Sequence, residues 1–299
     1  MAEMRVTIRS IFFDLFNRIV KPRGQLDSKY HCTHCAARLG DNLAHLHFLR
    51  KLAEKYPDHR FVHFAHPAYL GQLEEIVWDQ PRILLLPFFK THDPNWLIAR
   101  PPWEFKSVNA WKNASDFWIT HPAKLDYATF MILWYRHLAR LMGLESPIES
   151  VDDLLFDYPA LRLDAENNRG RFDFLIINSP GLSGQATNYN LDEMDALILQ
   201  LATKYTVITT HKRPTISVRC TADEGLTITS IGRLSQLCRF IVMVSTGPSW
   251  TTFNVWNKTS VESRIIIIDR EVLNLALNTI HTPTITGVRG ALTAKGLLC

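Results

Sequence analysis

The feature that most constrains this chain is a repeated alternation of short apolar runs with stretches whose apolar residues recur at helical spacing. In the first half, strand-like runs at 29–37, 61–64 and 82–87 alternate with predicted helices at 43–56 and 68–77. Consecutive strands joined through a helix run parallel, because the helix returns the chain to the edge from which it started. The first half therefore predicts a parallel sheet with helices on its faces.

The second half repeats this alternation. We predict helices at 190–203 and 231–238, a further helix opening at 246, and strands at 172–178, 205–210, 240–245 and, as the last strand, 264–269. Asn190 followed by Glu193 has the spacing of a capping box. Residues 144–171 are charged and loop-rich, which indicates a domain boundary between the halves. The predicted fold is α/β, with two Rossmann-like domains facing each other across a cleft, the layout called GT-B.

Other segments fit this plan less directly. Residues 5–20 form a predicted amphipathic helix that either docks on the protein body or lies in a membrane interface, and docking is favoured because such stripes usually complete a core. Residues 88–125 contain four tryptophans in irregular sequence, which either stack on sugar rings or, more often, fill a core. A third helix is expected over 126–142, ended by Gly143.

Composition narrows the classes of partner. The 299 residues carry a net charge of only +4, and the basic residues form no concentrated patch, which argues against a dedicated nucleic-acid binder. Five dispersed cysteines indicate no disulfide framework. We find no signal-peptide pattern and no apolar run long enough to span a membrane, so we expect a cytoplasmic protein, with peripheral contact at the inner face of the membrane as an option.

Two strand-to-helix turns carry the residues best suited to chemistry. Gly40-Asp41-Asn42 would place a carboxylate at a helix N-terminus, where the dipole keeps it ionised and able to accept a proton; the alternative is that Asp41 simply caps the helix. Ser245-Thr246-Gly247-Pro248-Ser249 would offer backbone amides and hydroxyls to a phosphate, or is an ordinary helix start.

Parts of the chain resemble the lipopolysaccharide heptosyltransferases, a family of inverting glycosyltransferases. The similar stretches are RLGDNLAHLHFLRKLAEKYP (38–57), FLIINSPGLSGQATNYNLDEMDALI and SIGRLSQLCRFIVMVSTGPSWTTFNVW, about half the chain in the same order. The resemblance implies that Asp41 is the catalytic base and that Thr246 and Gly247 hold the donor diphosphate. Ser245 and Trp250 replace the family's aspartate and histidine, so the donor is expected to differ from ADP-heptose.

Other candidate sites have simpler interpretations. His31-Cys32-Thr33-His34-Cys35 contains zinc-ligand residue types, but alternate strand residues face opposite sides, so buried strand positions are the better interpretation. His45 and His47, on the first helix, either reach the cleft or are explained by packing within one helical turn or by exposure. The sequence contains no Asp-x-Asp triplet, which favours chemistry without a bound metal.

The resemblance, together with these observations, implies an inverting, metal-independent glycosyltransferase of bacterial surface polysaccharide synthesis, with a nucleotide sugar as substrate rather than a cofactor and a glycan or lipid-linked molecule as acceptor. An acceptor-side domain over 1–160 would provide Asp41 as base and Gly40, Asn42 and His45 as acceptor contacts. A donor domain over 161–299 would provide the remaining contacts: Ser179, Gly181, Gln185, Lys212, Arg213, Ser245, Thr246, Gly247, Pro248, Ser249 and Trp250. The alternatives are a sugar-nucleotide epimerase or phosphorylase, or a non-catalytic binding protein of the same fold.

Overall fold

A computed structural model describes most of the chain. The described residues are 29–35, 39–87, 107–109, 127–163, 171–180, 186–269 and 278–298. The predicted helix at 5–20, nearly all of the tryptophan-rich segment at 88–125, and Gly181 and Gln185 lie outside them.

The first half forms a four-stranded parallel sheet, as its alternation predicts. The strands are ordered β3-β2-β1-β4, with bounds β1 Tyr30–Cys35, β2 Arg60–Ala65, β3 Ile83–Pro87 and β4 Ser107–Asn109. The helices of this half are α1 Leu39–Lys55, α2 Leu70–Val77 and α3 Tyr127–Leu141. The central strands β1 and β2 are buried along nearly their whole length, because helices cover a parallel sheet on both faces.

The second half forms a six-stranded sheet in which the paired strands are all parallel. The order is β10-β9-β8-β5-β6-β7, with bounds β5 Phe172–Ile177, β6 Val207–Thr209, β7 Arg219–Cys220, β8 Cys238–Val244, β9 Ser263–Ile267 and β10 Thr279–Thr282. Its helices are α4 Leu191–Ala202, α5 Ile228–Leu234, α6 Gly247–Trp250 and α7 Ile285–Ala294.

Local signals account for several helix ends. The Asn190 side chain accepts hydrogen bonds from the N–H groups of Asp192 and Glu193 at 2.9 and 3.2 Å, which satisfies two backbone donors that the helix leaves without partners. Gly143 follows α3 with φ at +73°, a left-handed conformation that glycine adopts without steric cost. Both ends were predicted from the residue types.

The sequence predictions missed the outer strands of the second sheet. The prediction that 264–269 is the last strand is wrong, since β10 and α7 follow it, and the two-residue strand β7 was also missed. The predicted helix at 231–238 begins earlier, at Ile228, and β8 already begins at Cys238. These edge strands are short and polar, so they lack the apolar run that reveals the central strands.

The segment predicted as a loop-rich boundary is packed against both halves. Tyr158 is fully buried and its hydroxyl donates to the Leu43 carbonyl of α1 at 2.8 Å. Phe156 forms an isolated parallel bridge with Asn254 on the other side. One continuous apolar cluster includes residues of both sheets, so this crossing segment joins the halves through a shared core.

Candidate functional site

Asp41 lies in the first turn of α1. The helix already includes Leu39, so the predicted turn at Gly40-Asp41-Asn42 is helical instead, and the helix begins about four residues earlier than the sequence indicated. As the third residue of α1, Asp41 is inside the helix and is not its N-cap. It is half-buried, and its carboxylate lies where the helix dipole favours negative charge.

Asn42 and His45 point into the first half. Both are fully buried, and Asn42 Oδ1 lies 3.0 Å from Nε2 of His63 on β2. The His45 ring packs 5.0 Å from the His63 ring, and burial, with a smaller effect of His34, lowers the pKa of His45 to about 3. The structure therefore places these two predicted acceptor contacts in the core, away from the surface that an acceptor would reach.

His47 also lies in the core. Its Nε2 donates to the Asp153 carbonyl at 2.6 Å, and its ring is 1% exposed. Burial lowers its pKa to about 4 despite the opposing effect of Asp157. The sequence left open whether His47 reaches the cleft, packs within one helical turn or is exposed, and the structure shows it packed and buried.

The second turn follows β8. Ser245 is buried, and Thr246 precedes the four-residue helix α6. The Ser249 hydroxyl accepts from the Thr246 N–H at 3.2 Å and donates to the Thr246 carbonyl at 2.6 Å, while the Ser249 N–H also donates to that carbonyl at 3.1 Å. Pro248 has no N–H, so the turn uses most of its own donors.

The donors left for an anion at this turn are therefore few. Gly247 opens α6, where backbone N–H groups have no partner within the helix. The Thr246 hydroxyl is buried and faces the Ser249 N–H in a capping box, and within the described part of the chain its own proton has no acceptor. An anion bound here would meet Gly247 and Thr246 more directly than Ser245, Pro248 or Ser249.

The two turns touch each other. A Cβ atom placed on Gly40 would lie 2.5 Å from Trp250 Cδ1 and 3.6 Å from the Gly247 Cα. A Cβ on Gly247 would in turn lie 3.0 Å from Leu39 Cβ. The Trp250 indole stacks on Phe156, with ring centroids 6.4 Å apart. Two glycines thus allow the halves to approach at the point where Asp41 and the Thr246 turn lie.

This contact also lies where open parallel sheets commonly bind ligands. In the first sheet the chain runs from β1 outward to β3 and then returns to β4 on the other side of β1. In the second sheet it runs from β5 outward to β7 and then returns to β8 on the other side of β5. A crevice forms at the carboxyl ends of strands where the winding reverses in this way. The turns after β1 and β8 both lie at such a point.

Of the remaining predicted donor residues, the three that the structure describes, Ser179, Lys212 and Arg213, lie along the same edge of the second sheet. Ser179 is half-buried just after β5. Lys212 is exposed and its Nζ lies 2.6 Å from Asp223 Oδ1. Arg213 binds two carboxylates of α4, Asp192 and Asp195, each at 2.9 Å. The arginine therefore anchors its loop on α4, whereas the carboxylate that pairs with the lysine is itself exposed.

Asn178, which the sequence reasoning overlooked, organises this edge. Its buried side chain donates to the His211 carbonyl at 2.9 Å and accepts from the His211 N–H at 2.8 Å and the Thr210 N–H at 3.3 Å. These bonds continue the pairing of β5 and β6 beyond the strands and fix the start of the Lys212 loop. An amide residue directly after an apolar strand was the available signal.

Asp269, which follows β9 on the other side of β8, also fixes a loop at this edge through side-chain hydrogen bonds. Its Oδ2 accepts from the Thr187 N–H at 2.7 Å and from the Thr187 hydroxyl at 2.5 Å. This carboxylate follows β9 and ties the 186–187 segment to the same edge. The sequence prediction had treated it only as the end of a strand.

Metal-ligand residue types do not converge in the described ranges. Within them, no group of three or more His, Cys, Asp or Glu side chains is arranged to hold a metal ion. Burial raises the pKa of the Cys32 thiol to about 11, which disfavours the thiolate that a metal would need. In the same ranges no helix is long and apolar enough to cross a bilayer.

Comparison with known proteins finds likeness only at the level of structure. No family model matches the chain, and no curated protein matches its sequence. E. coli heptosyltransferase WaaC solved with ADP-2-deoxy-2-fluoro heptose superposes with a TM-score of 0.52 at 12% identity, covering 89% of this chain and 99% of that chain. The same enzyme solved with ADP gives 0.52 at 13% identity over 89% and 99%.

A glycosyl transferase of family 9 from Veillonella parvula gives a TM-score of 0.49 at 9% identity, over 92% of this chain and 91% of that chain. The two WaaC structures show that the chain shares its fold with a heptosyltransferase. The predicted parallel α/β architecture is thereby confirmed.

Proposed function

We propose that this protein is a glycosyltransferase of GT-B architecture that moves a sugar from a nucleotide-sugar donor to a glycan or lipid-linked acceptor. The observation that carries the proposal is the contact between the first turn of α1 and the Thr246–Trp250 turn. It brings a half-buried carboxylate and a candidate phosphate-binding turn together at the reversal points of two parallel sheets. The fold shared with a heptosyltransferase supports the same reaction class.

In this proposal the donor lies along the carboxyl edge of the second sheet. The diphosphate is held by the Gly247 N–H and the Thr246 hydroxyl, since the neighbouring donors of that turn are already used. Lys212 supplies positive charge to the leaving nucleotide, because its pair with Asp223 is exposed and water competes for both partners. Arg213 keeps its loop in place on α4.

The acceptor approaches Asp41 from the side of the first sheet. The carboxylate takes the proton of an acceptor hydroxyl as that oxygen attacks the anomeric carbon, and the nucleotide diphosphate leaves from the opposite face. One displacement inverts the configuration. No step in this scheme uses a metal ion, because backbone, hydroxyl and lysine donors balance the charge on the leaving group.

Trp250 places an indole ring beside the proposed catalytic carboxylate. Its indole lies against Gly40, one residue before Asp41, and stacks on Phe156. An aromatic ring in this place offers a flat apolar surface to the C–H face of a sugar. We therefore expect a donor different from ADP-heptose, consistent with the departures at Ser245 and Trp250 from the heptosyltransferase pattern.

Asp41→Asn tests the proposal. The substrate pair is first found with a thermal-shift panel of nucleotide sugars, since a ligand that binds only the folded state raises its melting temperature. The variant should keep its fold and donor affinity in calorimetric titration but lose roughly 10²- to 10⁴-fold in turnover, the usual contribution of a general base. The amide is nearly isosteric with the carboxylate and lacks only the capacity to take the proton.

Asp58→Asn is the matched control, because the Asp58 side chain is 78% exposed in a loop of the same half and, among the described residues, its ion pair is with Lys29 at 3.6 Å. It should transfer sugar at the wild-type rate. A folded Asp41→Asn protein with full turnover would remove Asp41 from the chemistry. A wild-type protein that binds nucleotide sugars without transferring them to any acceptor would favour a binding protein of this fold.

A further inference from the structure

A hydrogen-bonded chain of three buried side chains connects the centre of the first sheet to the first turn of α1. Thr33 on β1 and His63 on β2 are register partners, and Thr33 Oγ1 lies 3.0 Å from His63 Nδ1. His63 Nε2 lies 3.0 Å from Asn42 Oδ1. All three residues have no exposed surface, so water does not compete for these bonds.

The chemistry of the three groups fixes the direction of the chain. Asn42 Oδ1 is only an acceptor, so His63 Nε2 must carry the proton. In the neutral ring Nδ1 is then an acceptor, and the Thr33 hydroxyl donates to it. Each polar atom of the ring is thus satisfied, as a buried imidazole requires.

The surroundings hold the ring in this neutral form. Burial lowers the pKa of His63 well below its usual value, and the neighbouring His45 and His34 lower it further. A ring that stays neutral through the physiological range does not shuttle protons. Its contribution is a fixed hydrogen bond.

Asn42 is otherwise a poor choice for this position. Asparagine is an unfavourable residue inside a helix, and a buried amide is costly without partners. The bond from His63 offsets part of that cost and holds the Asn42 side chain inward. Successive helical residues are turned by about 100°, so fixing Asn42 inward also sets the direction of Asp41, the residue immediately before it in the helix.

We infer that His63 is the positioning residue for Asp41, acting through Asn42 to hold the first turn of α1 in one orientation on the sheet. The role of Asp41 rests on the proposed function. The claim that His63 holds the first turn of α1 does not depend on that function. The two parts are tested by different measurements.

Two substitutions of His63 distinguish its hydrogen bond to Asn42 from its hydrogen bond to Thr33. Glutamine keeps an N–H donor near the place of Nε2, whereas asparagine keeps a polar group near Nδ1 and does not reach Asn42. Hydrogen–deuterium exchange of amides 43–46, whose N–H groups bond to carbonyls of the first turn, reports opening of that turn. His63→Asn should exchange these amides roughly 5- to 100-fold faster, as expected for loss of a buried hydrogen bond, and His63→Gln should stay within about twofold of wild type.

His31→Asn is the control for loss of a buried histidine elsewhere. His31 lies on the same sheet, and its hydrogen bond is to His59 at 2.7 Å, so amides 43–46 should exchange as in wild type. Nitrogen-15 spectra of the His63 ring should show the Nε2–H form at neutral pH. Equal exchange in the His63→Gln and His63→Asn proteins, or an Nδ1–H ring, would overturn the inference.

Turnover gives the second readout. Once a substrate pair is known, His63→Asn should lower kcat at least about tenfold with little change in the KM for the donor, and His63→Gln should restore it. If the wild-type protein transfers no sugar, the proposed function fails while the exchange experiment still decides whether His63 holds the turn. If His63→Asn loosens the turn and leaves kcat unchanged, the positioning role for Asp41 is refuted.

Discussion

Gly40→Ala is the most direct test of the contact that builds the site. A methyl group at this position would lie 2.5 Å from Trp250 Cδ1 and 2.6 Å from Trp250 Nε1, whereas carbon atoms in contact are about 3.5–4.0 Å apart. The indole must therefore move off Phe156, on which it stacks. Overpacking of this kind lowers the free energy of unfolding by about 1–3 kcal/mol, whereas alanine in a helix raises it by about 0.8–1 kcal/mol relative to glycine.

The net expectation is a loss of stability of up to about 2 kcal/mol, measured by urea unfolding followed by circular dichroism. Gly290→Ala is the control, since Gly290 lies in α7 with no atom within 4 Å of the added methyl. It should gain about 0.5–1 kcal/mol. The difference between the two substitutions isolates the clash.

A double-mutant cycle tests whether Trp250 is the residue with which the added methyl group of Gly40→Ala clashes. In a Trp250→Ala background, Gly40→Ala should become stabilising, like the control, which gives a coupling energy of about 1–3 kcal/mol between the two positions. If Gly40→Ala instead stabilises the wild-type background as much as Gly290→Ala does, the close contact between the first turn of α1 and the Thr246–Trp250 turn is refuted.

Three further outcomes are expected. Gly247→Val should weaken nucleotide binding about tenfold in calorimetric titration, since its side chain meets Leu39 and covers the amide offered to a phosphate; unchanged affinity would remove the donor assignment. Turnover should persist in EDTA, and a loss reversed by magnesium or manganese would contradict the metal-independent mechanism. Burial lowers the pKa of His45 to about 3 from 6.5, so the unfolded chain binds more protons in that window and stability falls as pH drops through it. His45→Leu should reduce that slope by up to about 1.4 kcal/mol per pH unit, measured as unfolding free energy at pH 7 and pH 5, and an unaltered slope would assign the acid sensitivity to other groups.

The sequence predicted the central strands and main helices because burial on both faces of a parallel sheet demands long apolar runs, as in Ile83–Pro87 and Cys238–Val244. It predicted the cap at Asn190 because that signal is local. It missed β10 and placed the start of α1 too late, since short edge strands and first helical turns depend on neighbours distant in sequence.

The sequence by itself determined the alternation of strands and helices, and hence which loops fall at the carboxyl edge of each sheet. It singled out Gly40-Asp41 and Thr246-Gly247 as separate turns. Only the tertiary structure decided that these turns touch, that Trp250 lies over Gly40, and that His45 and Asn42 face the core. The physical reason is that helical and strand periods are local, whereas contacts between residues two hundred positions apart follow from how two sheets share one core.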